Sequence, residues 1–365
     1  MIYLHLMRDE KPLDGVVRFY DRYFNDGNHT ICYVNQPGKN SLIKNSLSIN
    51  QYEVFLKNNY DVKGTMRLLS VVRKADIVVI HSMFINPLTA ALLSLNRYCK
   101  KIIWIEWGFD LYNWRSKGRI SFISNHIHRK IREQCRCFVG IFPPDCDYYL
   151  NEFKNSTAKV FYAPYCGVDI PEFFYHYSSG SRLEKSLKNG ETIYIMVGHS
   201  ASKELNHIEV LQQLQKFSHE DIKIVLPLSY GDKEYANNVQ LEAEKCFGNK
   251  ALILNKMMPE EEYYNLVDRV DVAIFNTQRQ IGLANINRLI FNNTKIYMCN
   301  NNPMYSFFRD NGINIQDFKD LKTIDYSLFV RPSIPLNEFK FKDYRENYVN
   351  MKKRVELWKN IYRDC

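Results

Sequence analysis

At 365 residues the chain is too long for one compact core and points to two domains. Its hydrophobic fraction of 45% is that of a globular protein, and no run approaches the roughly 20 apolar residues that a membrane-spanning helix needs. The net charge of +9 suits a nucleic acid, an anionic membrane or an anionic substrate, but zinc-finger spacing and RNP-type aromatic runs are absent from the sequence. An aromatic fraction of 14%, rich in Tyr, suits sugar faces and interfacial surfaces as well as cores. The nine cysteines are scattered, without CxxC or zinc spacing, and read as reduced and mostly packed. The first residues, MIYLHLMRDE, form a strand followed by charges rather than a signal peptide, which reads as cytosolic.

Residues 1–172 alternate strand and helix. Ile2 to Leu6, Thr30 to Val34, Asp76 to Ile80, Lys101 to Ile105, Phe138 to Phe142 and Val160 to Pro164 are the expected strands. Such alternation predicts a doubly wound parallel sheet, with ligands outside the carboxyl ends of its strands. Two polar clusters fall at such ends: His81-Ser82, and Glu106 to Asp110. His81 is a capped core histidine or a catalytic group. Asp110, beside Trp107 and Gly108, is a helix N-cap or a general base.

Trp114 to Arg136 carries Arg115, Lys117, Arg119, Arg129, Lys130, Arg132 and Arg136, opposed only by Glu133 and interleaved with Ile120, Phe122, Ile123, Ile127 and Ile131. It is a solvated basic helix or a segment that lies on anionic lipid, each charge contributing on the order of 1 kcal/mol near the surface. Asp145-Cys146-Asp147 is a DxD triplet, a pattern some sugar transferases use to hold a divalent metal. Here it follows Pro143-Pro144 and opens a helix, so N-capping explains it more cheaply. Residues 173–190 read as a linker.

The second half, 191–335, opens with the stretch that organises it. Ile193 to Val197 is a buried strand, Gly198-His199-Ser200-Ala201-Ser202 a small-residue loop, then a helix with Ile208, Leu211 and Leu214 on one face, then the strand Ile222 to Leu226. This βαβ unit aims a helix N-terminus at whatever sits there, favouring an anion such as a diphosphate. Gly198 lets the backbone approach closely, and Ser200, Ser202 and Asn206 can cap the helix or donate to a phosphate. The loop is neither a dinucleotide fingerprint nor a P-loop. Val270 to Phe275 is a strand ending in Asn276 to Gly282, where Arg279 can offer a fork to a diphosphate or stand as a surface Arg on a turn. A terminal helix is expected over Tyr344 to Tyr362, in a segment, 336–365, expected to pack back on the first domain.

The stretches WGFDLY (Trp107 to Tyr112), VGHSASKELNH (Val197 to His207), VLPLSYGDKEY (Val225 to Tyr235), FNTQRQIGLANI (Phe275 to Ile286) and CNNNPMY (Cys299 to Tyr305) together resemble the 4-alpha-L-fucosyltransferase family, glycosyltransferase family 56. They lie between residues 107 and 305, in the expected order. The family's anchor loop reads like VGNSGDxSNxH; here His199 stands for Asn and Ala201 for Gly, and a QQGIG-like motif appears as Gln280-Ile281-Gly282-Leu283-Ala284.

The resemblance implies an α/β glycosyltransferase-B architecture: two Rossmann-like domains, acceptor-binding then donor-binding, with a C-terminal helix. It implies a hexosyltransferase that moves a 6-deoxy-amino sugar, such as 4-acetamido-4,6-dideoxygalactose, from dTDP to a polyprenyl-diphosphate-linked saccharide. The setting is enterobacterial common antigen or O-antigen synthesis, peripheral at the cytoplasmic face of the bacterial inner membrane. The donor would lie at Gly198, His199, Ser200, Asn206, His207, Tyr230, Gly231, Arg279, Gln280 and Gly282, with no metal cofactor and no nucleic-acid partner. Asp110 is the expected base, with Glu106 or His81 behind it, and Arg115, Lys117, Arg119, Arg129, Lys130 and Arg132 are expected to face membrane or acceptor. The alternatives are a non-catalytic binder of a sugar nucleotide or glycan on the same fold, and an epimerase-like enzyme, against which the missing nicotinamide loop argues.

Overall fold

A computed structural model describes residues 1–8, 12–35, 49–58, 60–83, 85–115, 121–167 and 192–365. The expected linker and the cations Lys117 and Arg119 lie outside the described residues. The chain forms two compact units, Met1–Ile170 with Asn350–Cys365, and Pro171–Val349.

The first unit is a seven-stranded parallel sheet: β1 (Tyr3–Arg8), β2 (His29–Asn35), β3 (Asn50–Phe55), β4 (Ile77–His81), β5 (Ile102–Ile105), β6 (Cys137–Gly140) and β7 (Lys159–Tyr162). Their order is β3-β2-β1-β4-β5-β6-β7, so the winding reverses between β1 and β4, and a crevice opens there outside the carboxyl ends. The IVVIH and IIWI runs of β4 and β5 are buried throughout, because helices cover both faces. One face packs Leu4, Leu6, Ile80, Trp104 and Phe138, and the other packs Val17, Tyr20, Val79, Ile103 and Trp358. β3 was not anticipated: NQYEVF alternates apolar with polar residues, as an edge strand does, and lacks a long apolar run.

The terminal helix differs from expectation. It is two helices, Glu338–Val349 and Met351–Asp364, and Asn350 between them caps the second by accepting from Lys353 N at 2.9 Å. Glu338–Val349 belongs to the second unit, where Tyr344 donates to Asn287 Oδ1 at 2.5 Å. The second helix packs into the first unit: Trp358 is fully buried and donates to the Pro164 carbonyl at 3.1 Å. Cys137 and Cys365 are joined by a disulfide, which corrects the reading of all nine cysteines as reduced.

The basic segment is also corrected. Its helix spans Ser121–Gln134, and Arg132 is only 2% exposed, its guanidinium 4.8 Å from the Trp104 ring and donating to the Asp110 carbonyl at 2.9 Å. Arg132 is a core cation, not a membrane-facing one. Glu152 pairs with both Arg115 and Arg129, so Glu133 is not the lone counter-charge. Lys130 is half-buried, while Phe122 and Ile123 stand 82% and 59% exposed.

The second unit is a six-stranded parallel sheet of β8 (Ile193–Val197), β9 (Ile222–Pro227), β10 (Ala251–Leu254), β11 (Val272–Phe275), β12 (Lys295–Met298) and β13 (Ile315–Asp317), ordered β10-β9-β8-β11-β12-β13. Here the winding reverses between β8 and β11, which places the loops after those strands side by side. Val197, Leu211, Leu226, Ile274 and Phe329 lie in its core.

Candidate functional site

In the second unit the loop after β8 and the loop after β11 meet at the reversal point. Gly198 follows β8 with φ +63°, and a Cβ there would lie 2.5 Å from His207 Nε2. Gly282 ends the other loop with φ +72°, and a Cβ there would lie 2.8 Å from His199 Nδ1. Both positions therefore exclude side chains twice over, by backbone conformation and by an imidazole. Gly282 is the N-cap of the helix Leu283–Phe291, whose first N–H groups face the crevice end of the sheet.

Around that helix start lie buried polar atoms without hydrogen-bond partners among the described residues: His199 Nδ1, Gln280 Oε1 and His207 Nε2. Burial lowers the His199 pKa to about 4, with Arg279 adding to the effect, so the ring is neutral at physiological pH. His207 lies beneath Gly198, its ring pushed by burial to a pKa of about 3. Ala201 and Gly231 form a parallel bridge that ties the loop after β8 to the loop after β9 and leaves Tyr230 half exposed above them. Ser200 is buried and hydrogen-bonds Tyr230.

Two expected roles come out differently. Arg279 does not present an open fork: its Nε lies 3.1 and 3.0 Å from the two oxygens of Glu204, its Nη2 also pairs with Glu204, and its Nη1 donates to the Gln280 carbonyl at 2.8 Å. Asn206 does not cap the following helix with its side chain. It sits at φ +47° and donates across to the Asn276 carbonyl at 2.9 Å, holding the two loops together. The Asn276–Gly282 loop is braced by residues not expected at the site from sequence. Asn302 donates to the carbonyls of Thr277 and Arg279 at 2.8 and 3.0 Å, and Glu209 accepts from Asn276 Nδ2 at 2.9 Å. Asn302 and Glu204 lie inside quoted motifs, whereas Glu209 carries no signal beyond that of an ordinary helix acid.

In the first unit the expected catalytic residues gather at the carboxyl ends of β4 and β5. Asp110 is 2% exposed and fully engaged: Oδ2 accepts from Met83 N and Trp104 Nε1 at 2.7 Å each, and Oδ1 accepts from Trp107 N at 2.7 Å. Three donors on one buried carboxylate make it the staple of the loops after β4 and β5, in place of the free base expected. Glu106 is wholly buried, accepting from Gly108 N and, at 2.9 Å, from Ile141 N. Burial, then Asp145 and Asp110 beside it, hold its carboxyl well above the usual range. Asp145 is not a helix cap. It is buried against Glu106 and accepts from Tyr112 Oη at 2.6 Å, and its charge adds to the burial that raises the Glu106 carboxyl.

His81 ends β4 at the reversal point and is 2% exposed. Its Nε2 lies 3.0 Å from His5 Nδ1, and its Nδ1 is 3.4 Å from Tyr165 Oη. Ser82 follows at φ +67°, a conformation costly for a non-glycine, and its buried hydroxyl has no partner among the described residues. Among the described residues no group of three or more His, Cys, Asp or Glu is placed to hold a metal ion. None of the described helices is long and apolar enough to cross a membrane.

A family model described as 4-alpha-L-fucosyltransferase glycosyl transferase group 56 matches residues 20–324. Among solved structures, a sucrose-phosphate synthase from Thermosynechococcus elongatus superposes with a TM-score of 0.68 at 11% identity, over 100% of this chain and 99% of that one. A UDP-forming trehalose-phosphate synthase from Burkholderia xenovorans gives 0.65 at 12% identity, over 99% and 98%. The N-terminal domain of a Candida albicans trehalose-6-phosphate phosphatase gives 0.64 at 13% identity, over 99% and 96%. At such identities the likeness shows the fold alone, and that fold is glycosyltransferase-B-like.

Proposed function

The chain belongs to the 4-alpha-L-fucosyltransferase family of glycosyl transferases, group 56, and from this premise we propose that it moves a 6-deoxy-amino sugar from dTDP to a polyprenyl-diphosphate-linked saccharide. The work is that of bacterial surface polysaccharide assembly, with the protein peripheral at the cytoplasmic face of the inner membrane. A nucleotide-sugar donor follows from the family; the dTDP, the sugar and the lipid-linked acceptor are our reading.

The observation that carries the donor half is the cradle at the reversal point of the second unit. Two glycines at positive φ, the start of the helix Leu283–Phe291 and the unpartnered polar atoms of His199 and Gln280 converge there. Backbone N–H groups and the helix dipole stabilise the charge that grows on a leaving diphosphate without a metal. Tyr230 would lie near the nucleotide. Arg279 completes the site when the diphosphate displaces Glu204.

The acceptor half rests on the first unit. Of the acid–base candidates at its crevice, Asp110 and Glu106 have their oxygens taken by backbone or indole donors. His81 alone keeps a ring nitrogen, Nδ1, facing only a long contact to a hydroxyl. We assign it the acceptor's proton: as the acceptor oxygen attacks the sugar's anomeric carbon, the anomeric C–O bond to the diphosphate breaks and the hydroxyl proton passes to Nδ1. The test is a thermal-shift titration with dTDP, UDP, GDP and CMP, with and without Mg²⁺. Selective stabilisation by dTDP without metal supports the reading. Preference for UDP or GDP overturns the donor, and no response to any nucleotide overturns the donor site.

A further inference from the structure

The imidazole of His81 does not stand alone. His5 Nδ1 lies 3.0 Å from His81 Nε2, and His5 Nε2 lies 2.9 Å from His29 Nδ1. Strand register sets this file along the sheet: Tyr3 pairs with His29, His5 sits two residues on, and His81 lies one step beyond the Leu6–Ile80 pair. The rings therefore climb one face from the amino edge to the carboxyl edge, over about 13 Å at the ordinary strand rise. They are 4%, 0% and 2% exposed for His29, His5 and His81.

We propose that His81, His5 and His29 form a proton relay that carries the acceptor's proton through the first unit to solvent at the sheet's amino edge. The proposal rests on the assignment of His81 as the base. A neutral imidazole has one N–H and one bare nitrogen, so a file of them can hold all its protons in the same sense. With His81, His5 and His29 each protonated on Nε2, His81 Nδ1 is bare at the carboxyl end of β4, 3.4 Å from Tyr165 Oη. The acceptor's O–H bond breaks and its proton joins His81 Nδ1. The Nε2 proton of His81 moves to His5 Nδ1, that of His5 to His29 Nδ1, and that of His29 leaves to water near Asp26. Each ring ends neutral and protonated on Nδ1, and one proton has left the protein. When product departs, a proton returns through His29 and one leaves His81 at the carboxyl edge, so the file holds the acceptor's proton away from His81 during transfer and is reset by the end of the turnover.

The surroundings show why a lone base would not serve. Tyr20 lies against His5 with ring centroids 4.1 Å apart, Tyr3 stacks on His29 at 4.6 Å, and Tyr362 and Phe24 close the edge. Among the described residues, the groups facing the file are the phenols of Tyr3, Tyr20, Tyr165 and Tyr362, the Cys166 thiol beside Tyr20, and the Asp26 carboxylate near His29. Of these only Asp26, at the solvent edge, can balance a cation. Burial lowers His81 to about 3 and His29 to about 4, and drives His5 well below the ordinary value. An imidazolium at His81 is therefore disfavoured, and the proton must move on as it arrives.

The test is steady-state transfer by His81→Gln, His5→Gln and His29→Gln, each checked for folding by thermal unfolding. Gln can still accept or donate one hydrogen bond but cannot pass a proton. His29→Gln, at the edge, is the variant that keeps the proposal falsifiable if His5→Gln unfolds. For His29→Gln the expected result is a kcat lowered at least about tenfold with both KM values within about twofold, and a solvent isotope effect that changes. In ¹⁵N-histidine-labelled wild type, the three rings should be neutral at pH 7 with the same nitrogen protonated in each. Full kcat in folded His29→Gln, or mixed tautomers, overturns the relay while leaving His81 as base. Full transfer by folded His81→Gln overturns the base assignment, and the relay with it.

Discussion

Arg279 is gripped by Glu204: the guanidinium Nε lies within 3.1 Å of both carboxylate oxygens, and the side chains are 10% and 34% exposed. A cation so paired does not attract a diphosphate at full strength, and whatever binds must compete with the acid. Glu204→Gln should therefore tighten dTDP binding by about tenfold, roughly 1.4 kcal/mol, and Arg279→Ala should weaken it by about as much or more. Isothermal titration measures both. Unchanged affinity in the pair would remove Arg279 from the donor site.

Gly198→Ala tests the geometry beneath the same loop. The residue holds φ +63°, and the new methyl would approach His207 Nε2 to 2.5 Å. Left-handed backbone alone costs an L-residue about 1–2 kcal/mol. A melting point lower by about 2–4 °C per kcal/mol is expected, together with weaker nucleotide binding. Gly198→Ala with His207→Ala should relieve the contact but not the backbone, recovering only part of the loss in calorimetry.

The second unit was easier to read from sequence than the first. IYIMV and KIYM coincide with strands, and IKIVL falls one residue short, because each is a short β-branched or apolar run between polar turns. β3 and the three-residue β13 carry no such run and were missed. The loops bearing Gly198, Arg279 and Gly282 were legible because strand-end position is a local property. Their partners were not: Glu204 meets Arg279 across 75 residues, and Asp145 meets Glu106 across 39, pairings that only the fold creates. His5 and His29 looked like ordinary strand residues, since nothing local distinguishes a relay from a core.

The buried acids and imidazoles set opposite pH limits. His5, His29 and His81 have folded-state pKa values below the unfolded value near 6.5. The unfolded chain therefore binds more protons in acid, and their stability is present above about pH 6.5 and lost as pH falls toward about 4 and 3. Glu106 is raised, so its contribution is present at low pH and lost as pH climbs past the ordinary carboxylate range. Asp145→Asn removes one like charge beside it and lets Glu106 ionise more readily. As pH rises above the ordinary carboxylate range, the fall in melting point should be shallower in Asp145→Asn than in wild type, where the Glu106 proton contributes up to about 1.4 kcal/mol per pH unit. Identical slopes would show that Asp145 does not raise Glu106.

The proposed membrane contact divides the residues of the helix Ser121–Gln134 into two groups. Phe122 and Ile123 project into solvent at its start, whereas Arg132 is enclosed by Trp104, Trp114 and the Asp110 carbonyl. If this end lies on lipid, apolar insertion at Phe122 and Ile123 adds to the attraction of Lys130 and its basic neighbours for an anionic surface. Phe122→Ser with Ile123→Ser should lower partitioning onto vesicles of anionic lipid by about tenfold or more without moving the melting point. Lys130→Gln should cost on the order of 1 kcal/mol of binding and flatten its salt dependence. Arg132→Gln should do the reverse, leaving partitioning unchanged and lowering the melting point, because it leaves a buried carbonyl and indole face without their cation. Vesicle sedimentation at two salt concentrations separates these outcomes. Equal binding by wild type and the Phe122/Ile123 double variant would show that this end of the helix faces water, and the acceptor's lipid would then have to be met elsewhere on the first unit.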